Sequence, residues 1–453
     1  MRRNTIKTLL AIGDYAVMVA ALCGMILIRY GKDAFSIEFQ NHIQPFLIIF
    51  LAWVVTFYIL ELYDINAPFS HRKFAIAMFT NIAVAITLIY LFLDVVGITP
   101  RRNLILITVL FVPVFYIWRF ATSRLMDNFV FTKAVAFIGF DQYALELIEI
   151  ICRKKRQGFR VVAIVCDPDQ QLPETIRRSS IATFESVALL EQSLVDLKID
   201  TVVISNSWYS SVYQELYRLL PLRLHFYQLT SFWERFDESI PIYSTHESWF
   251  LENFNRGLNK TYAIIKRIVD IVTIMVFLPI ILLFSVITAI LVKISSPGPV
   301  LFRQTRVGRN EHPFTIYKFR SMVTDAEKDG AQWASEKDPR ITKVGSFIRA
   351  TRLDELPQLF NVLRGDMSIV GPRPERPEFI TELSQKIPHY HLRHLVRPGL
   401  TGWAQVRYRY GSSFEDAAIK LTFDLYYVKN ISMILDIKIA LKTILTVLSR
   451  QGR

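Results

Sequence analysis

Four apolar runs dominate the first 125 residues. Leu9 to Ile28 is interrupted only by Asp14, and Pro45 to Leu60, Phe74 to Leu93 and Leu104 to Trp118 carry no charge. A spanning helix takes about 20 residues, so the four runs, two of them with flanking residues recruited, predict four transmembrane helices rather than soluble-core helices. Arg2, Arg3 and Lys7 precede the first run as they would in a signal peptide. Asp14 breaks that run, however, and no small-x-small site follows it, so a retained helix is expected. From Ala134 the period changes. Ala134–Phe140, Arg160–Asp167, Asp200–Ser205 and Leu222–Leu229 read as strands and 142–155 as a helix, an alternation that predicts a parallel α/β sheet. A fifth apolar run, Ile271 to Val292, is 22 residues without a charge and holds Pro279 near its middle. The last stretch, Ile431 to Leu448, reads as an amphipathic helix. Either a membrane surface or a soluble domain would suit its apolar face.

Charge assigns sides to these runs. Arg2, Arg3 and Lys7 lie before the first span and Arg119, Arg124 and Lys133 after the fourth, which predicts both ends of the bundle on the cytoplasmic side. His71, Arg72 and Lys73 agree; Arg101 and Arg102 point the other way. Lys260, Lys266 and Arg267 precede the fifth run, and Lys293, Arg303, Arg306 and Arg309 follow it. Both of its ends therefore favour one side. Proline removes a helix hydrogen bond, so a segment that dips in and returns at Pro279 is expected, although a kinked span has the same local signature.

Composition narrows the class. Hydrophobic residues make up 52% of the 453, charged residues 21%, and mean hydropathy is +0.29, which excludes a disordered chain and disfavours a wholly soluble enzyme. The net charge of +13 suits anionic lipid, nucleic acid or a phosphorylated substrate. Cys23, Cys152 and Cys166 are too few and too scattered for a disulfide framework or a zinc site. After the first predicted strand, Gly139-Phe140-Asp141-Gln142-Tyr143-Ala144 keeps one glycine of the three in a dinucleotide fingerprint, so a structural or regulatory role is favoured there over nucleotide binding.

Most of the positive excess is C-terminal: residues 293–453 hold 26 Lys and Arg against 16 Asp and Glu. Short strings recur there, among them Arg303-Gln304-Thr305-Arg306, Lys318-Phe319-Arg320, Gly371-Pro372-Arg373-Pro374 and Arg397-Pro398-Gly399. Arginine binds phosphate bidentately and Gly-Pro turns expose backbone donors, so several strings converging on a diphosphate is one reading; lipid-head contact is another. No zinc-finger or RNA-binding signature accompanies them, so no nucleic acid is expected. The sharpest feature is Leu353-Asp354-Glu355-Leu356-Pro357-Gln358-Leu359-Phe360-Asn361-Val362-Leu363, ending at Gly365. Leu353, Leu356, Phe360 and Leu363 have helical spacing, Pro357 suits a first turn and Gly365 a stop. Asp354 and Glu355 then lie at the helix start. Simple capping is one role for them. The other is chemical: one carboxylate attacks phosphorus while its neighbour holds Mg²⁺.

Residues from about 261 to 450 resemble the bacterial sugar transferases, the polyprenyl-phosphate hexose-1-phosphate transferases. The resemblance rests on Lys266-Arg267-x-x-Asp270, Ser296-Pro297-Gly298-Pro299, Lys318-Phe319-Arg320-Ser321-Met322, the Leu353–Asn361 string, Gly365 to Pro374 and Val396 to Val406. It implies an integral membrane enzyme of the family's long form. Residues 1–125 would be a four-helix transmembrane bundle, 126–255 a Rossmann-like α/β cytoplasmic domain, and 256–453 a re-entrant helix (about 261–295) plus a mixed α/β catalytic domain. The bacterial inner membrane, crossed several times with the soluble domains in the cytoplasm, is the implied location. The implied reaction begins with attack by Asp354 on the sugar-linked phosphate of a UDP-sugar, releasing UMP. The covalent sugar-phosphate then passes to undecaprenyl phosphate, initiating exopolysaccharide, capsule or O-antigen synthesis. Glu355 would ligate Mg²⁺, Arg373, Lys318 and Arg320 would contact substrate phosphate, and Gln358 and Arg397 complete the implied substrate-binding set. Membrane lipids are implied partners, and a homodimer is allowed. Where the family usually has Ser-Pro in the re-entrant segment, this chain has Leu278-Pro279; proline still supplies the break. The rival readings are a non-catalytic scaffold binding polyprenyl phosphate and a sugar-nucleotide oxidoreductase built on the middle domain. Hexose selectivity has no readable code.

Overall fold

A computed structural model describes residues 3–59, 62–63, 71–92, 101–127, 132–153, 158–168, 170, 172–177, 180–205, 208, 212–254, 260–323, 338–408, 411 and 413–448. Arg2, Leu60, Leu93 and Lys155, which mark predicted charges or ends of predicted elements, lie outside these residues. The chain forms two compact units, Met1–Val202 with Val212–Phe226, and Val203–Ser211 with Tyr227–Arg453.

The first unit begins with four helices, α1 (Arg3–Tyr30), α2 (Phe35–Ile59), α3 (His71–Phe92) and α4 (Arg101–Asp127), one for each predicted span. Helices α1, α2 and α4 include segments long and apolar enough to cross a membrane, and a fourth such helix follows in the second unit. These are the helices of a membrane protein. Met18, Leu22, Phe50, Trp53, Phe111 and Phe115 fill the bundle core, and Leu47, Ile48, Leu51, Ile105 and Val109 stay on its outside. Asp14, which interrupts the first apolar run, finds its partner in Arg119, 2.5 Å away, and accepts a second bond from Trp118. Arg119 is itself buried and donates to the Leu62 carbonyl. Arg119, read in the sequence as a cytoplasmic charge following the fourth span, thus lies inside the bundle, where it and Asp14 neutralise each other.

An α/β segment follows: β1 (Lys133–Ile138), α5 (Gln142–Arg153), β2 (Phe159–Val165), α6 (Glu174–Arg177), β3 (Ala182–Phe184), α7 (Val187–Ser193), β4 (Ile199–Ile204), α8 (Tyr213–Leu219) and β5 (His225–Gln228). The sheet order is β3-β2-β1-β4-β5, with parallel β1–β2 and β2–β3 pairs. The four predicted strands are present; β3, only three residues long, carries too little pattern to be read. At the turn after β1, Gly139 has φ +82°, and the Asp141 carboxylate accepts from the Ala144 amide at 2.7 Å, capping α5. A side-chain anion therefore occupies the helix start that a pyrophosphate would need.

The second unit begins earlier than the predicted boundary near residue 255. Helices α9 (Leu229–Asp237) and α10 (Glu247–Asn253) belong to it, because Ile240, Ile242, Phe250 and Phe254 share one core with Val370, Trp403, Leu421 and Ile439. Then come α11 (Lys260–Ser295), the hairpin β6 (Leu301–Val307) and β7 (Pro313–Phe319), α12 (Lys343–Ala350), α13 (Gln358–Arg364), β8 (Ser368–Val370), α14 (Pro377–Lys386), β9 (Gly399–Thr401), α15 (Trp403–Arg407), α16 (Phe414–Lys429) and α17 (Met433–Leu448). The hairpin pairs Leu301 with Phe319 through Val307 with Pro313, and β8 runs parallel to β9.

Helix α11 is docked at both ends on this one unit. Near its start, Lys266 bonds Asp436, Arg267 donates to the Val362 and Leu363 carbonyls, and Asp270 accepts from Ser368 at 2.7 Å. Near its end, Val292 packs with Phe319 and Ile348. Between them Val276, Phe277, Ile280, Leu282, Leu283 and Phe284 are exposed. The closing helix α17 resolves the two readings of its apolar face in favour of packing: Leu435 and Ile439 are buried in the domain core, although Ile434, Ile437 and Ile444 remain exposed.

Removing one partner of a buried ion pair leaves an uncompensated charge. Asp14→Ala is expected to cost about 3 kcal/mol, read as lowered thermal stability in detergent, whereas replacing Asp14 and Arg119 together by Leu and Met should recover most of it.

Candidate active site

The local sequence explains where the two carboxylates stand. Arg352 has φ +59°, which ends the α12 segment, and Leu353–Glu355 forms a 3₁₀ turn. Pro357 then opens α13, and Gly365 (φ +101°) closes it by donating to the Asn361 and Val362 carbonyls. The predicted stop is thus observed, but the apolar set shifts. The 3₁₀ turn has three residues per turn and resets the helical phase. As a result Leu359 packs inward with Ile274 and Val362, and Phe360 is 57% exposed.

Asp354 is 8% and Glu355 7% exposed, so two like charges are buried side by side. Glu355 Oε1 accepts from Arg373 at 2.7 Å and lies 3.5 Å from Arg352. Lys318, half-buried on β7, completes the charge set around the pair; Arg349 acts on Asp354 as well and donates to Ser321 at 2.9 Å. Burial and then the charge of Glu355 push the Asp354 carboxyl up to about 6, against Lys318, Arg352 and Arg349. Burial works against ionisation of Glu355 too, but Arg373, Lys318 and Arg352 outweigh it and hold that carboxyl down at about 2. Lys318 is itself lowered to about 8, by burial and then by Arg373. Environment therefore separates two adjacent carboxylates: arginines hold one down, and burial beside it pushes the other up. Split pKa values of this kind mark acid–base and nucleophilic sites more often than caps.

The other candidates divide. Gln358 is buried one turn after Asp354, and its amide nitrogen has no partner; neither has Asp354 Oδ1. Arg320 differs from the expectation: its guanidinium donates to the Pro297 and Ser296 carbonyls and to the Ser296 hydroxyl, so it holds the loop after α11. Arg397 is half-buried and is not brought to the dyad; its charged neighbours are Arg267, Arg309 and Asp270. Arg349 and Arg352 do stand at the site, and the sequence offered only their place just ahead of the Asp-Glu pair as a signal.

The donor set suits Mg²⁺. The ion usually takes one or two carboxylates and completes its shell with water and substrate phosphate oxygens. Glu355 is ionised, and Asp354 Oδ1 is a buried oxygen in want of a partner. Among the described residues no group of three or more His, Cys, Asp or Glu stands ready as an all-protein cage, so substrate oxygens would have to contribute.

A family model described as bacterial sugar transferase matches residues 261–450. The chain is 42% identical over 193 residues to the exopolysaccharide production protein PSS of Rhizobium leguminosarum bv. phaseoli, covering 96% of that relative and 41% of this chain. This chain belongs to the bacterial sugar transferase family. It is 50% identical over 191 residues (42% of the chain) to an Aeromonas hydrophila UDP-N-acetylgalactosamine-undecaprenyl-phosphate N-acetylgalactosaminephosphotransferase. It is 43% identical over 207 residues (45% of the chain) to the UDP-glucose:undecaprenyl-phosphate glucose-1-phosphate transferase of Escherichia coli (strain K12). The matched region spans 45% and 42% of those two relatives' length. In this bacterial sugar transferase the matched region contains the whole dyad, its cations and all but the first residue of α11.

The opposed shifts predict a pH window for chemistry at the dyad. Asp354 loses its charge as pH falls through about 6, and Lys318 loses its charge as pH rises through about 8. Were Asp354 to act ionised and Lys318 protonated, kcat/KM would be bell-shaped between those limits. Lys318→Arg, which cannot deprotonate in this range, is expected to remove the alkaline limb while leaving the acid limb in place.

Proposed function

We propose that this protein is a phosphoglycosyl transferase that moves a hexose-1-phosphate from a UDP-sugar to undecaprenyl phosphate and so starts assembly of a lipid-linked glycan. The observation that carries the reading is the asymmetry of the buried pair: Asp354 has an unpartnered oxygen and a carboxyl pushed up to about 6 by burial and Glu355, beside a Glu355 bonded by Arg373 and held down by Arg373, Lys318 and Arg352. In the first step an Asp354 carboxylate oxygen bonds to the phosphorus of the sugar-linked phosphate. The bond to UMP breaks, and UMP leaves with the electron pair. In the second, a phosphate oxygen of undecaprenyl phosphate bonds to the same phosphorus and the Asp354 carboxylate departs. A carboxylate pushed up to about 6 is more basic than an ordinary aspartate yet largely ionised at pH 7.

Around the diphosphate, Arg373, Lys318, Arg352 and Arg349 offset charge that the reaction shifts from one phosphoryl group to the next. Glu355 would hold Mg²⁺, with Asp354 Oδ1 within the same pair; when bound, the ion would neutralise charge on the diphosphate oxygens. The names of the relatives support the substrate class, and the excess of basic residues in the same block agrees with it.

Helix α11 supports a membrane-dipping rather than a crossing role. Ile274 shares a cluster with Ile316, and Val292 shares one with Phe319. Both flanks thus pack on one domain, and Pro279, inside the helix, would supply the break for a dip and return. Only 11% of its most apolar window is buried, so the exposed middle is matched to lipid.

Two experiments test the proposal. UMP release is measured from a panel of UDP-sugars with undecaprenyl phosphate and Mg²⁺; Asp354→Asn is expected to lower turnover by at least 10⁴-fold while the protein still folds. Retained turnover would remove the nucleophile assignment. Cysteines at Lys260 and Ser295, in a chain whose native cysteines are replaced, should be labelled by an impermeant reagent from the same side. Labelling from opposite sides would make α11 a true span.

A further inference from the structure

The loop Gly371–Glu375 carries Arg373, whose side chain reaches Glu355. Its four carbonyls from Pro372 to Glu375 all accept hydrogen bonds. Gly399 N donates to Pro372 at 2.9 Å and Val307 N to Glu375 at 3.0 Å. The other two donors are arginine side chains: Arg393 to the Arg373 carbonyl at 2.9 Å and Arg306 to the Pro374 carbonyl at 3.1 Å. Prolines on both sides of Arg373 restrict the backbone and remove two amides that could anchor it. The carbonyl contacts therefore decide where Arg373 points.

Arg393 is the more telling of the two arginines. It is 6% exposed, and the same terminal nitrogen that bonds the Arg373 carbonyl bonds Asp424 at 2.8 Å. Its other terminal nitrogen bonds the Tyr390 hydroxyl. Asp424, on α16, is 2% exposed and its second oxygen has no partner. A buried ion pair is seldom retained for stability, since apolar residues of like volume often do as well. This pair also does not touch the dyad. It grips the backbone of Arg373, which does.

We propose that Arg393 and Asp424 are positioning residues: the buried pair clamps the Arg373 carbonyl and so holds the Arg373 guanidinium where the donor diphosphate is bound. The consequence for catalysis rests on the transferase reading above; the clamp itself does not. Arg393→Lys keeps the charge but loses the fork that joins three acceptors, and Asp424→Asn keeps the shape but loses the charge.

The test combines kinetics with amide exchange. Each variant, alone and together with Arg373→Ala, is assayed for UMP release from UDP-glucose and UDP-N-acetylgalactosamine. Expected is a rise in donor KM of about ten-fold or more with a smaller fall in kcat. In the Arg373→Ala background the same change should add almost nothing, because a residue acting through Arg373 has nothing left to act on. Independent losses that simply multiply would overturn the proposal. Amide exchange at Gly399 and Val307, whose N–H groups donate to the Pro372 and Glu375 carbonyls, should quicken in both variants; unchanged exchange would equally sink the clamp. Quickened exchange in a protein whose wild type releases no UMP from any UDP-sugar of the panel above would keep the clamp and reject the transferase reading. Should Arg393→Lys fail to fold, the near-isosteric Asp424→Asn carries the same comparison.

Discussion

Two adjacent carboxylates buried against each other are electrostatically untenable unless cations surround them. That constraint organises the second unit. Desolvation alone disfavours either charge, and each charge disfavours the other. Lys318 on β7, Arg352 and Arg349 before the 3₁₀ turn and Arg373 after β8 answer it from several directions. Because Arg373 bonds Glu355 and not Asp354, compensation is uneven, and the unevenness creates two different carboxylates from two neighbours in the chain. Elements distant in sequence therefore meet at one point because four positive side chains are needed there.

The same unit must hold an apolar helix that it cannot cover. Polar groups fix the start of α11 through Asp270, Arg267 and Lys266, and apolar packing fixes its end through Val292. Arg320 tightens the exit by gathering the carbonyls of Ser296 and Pro297. The uncovered middle is apolar, so one small domain carries both the cation-ringed carboxylates and an exposed apolar helix. A water-soluble sugar nucleotide and a lipid-borne phosphate are the pair of substrates such a domain would bring together under the proposed function.

Particular residues show how far the sequence was legible. The apolar runs became helices and the alternating segment became a sheet, because periodicity reflects which face is buried wherever the element is regular. Gly365 was read as a helix stop for the same local reason. Phe360 and Leu359 exchanged places, since a 3₁₀ turn is a phase shift that no apolar spacing announces. Arg320 and Arg397 look in the sequence like Arg373, being arginines beside glycine, proline or aromatic residues. Only the folded chain separates a guanidinium that holds a loop from one that reaches a carboxylate.

The sequence by itself determined the apolar helices, the α/β alternation, the family to which residues 261–450 belong and the identity of the buried acidic pair, all of them carried by local pattern or contiguous strings. The tertiary structure decided the rest. Asp14 was matched to Arg119 across 105 positions, residues 229–254 were assigned to the C-terminal unit, and Arg373 rather than Arg320 or Arg397 was set on Glu355. Those choices depend on pairwise distances in the low-dielectric interior. Charge type is written in the chain, but which charge meets which is settled only when the backbone closes.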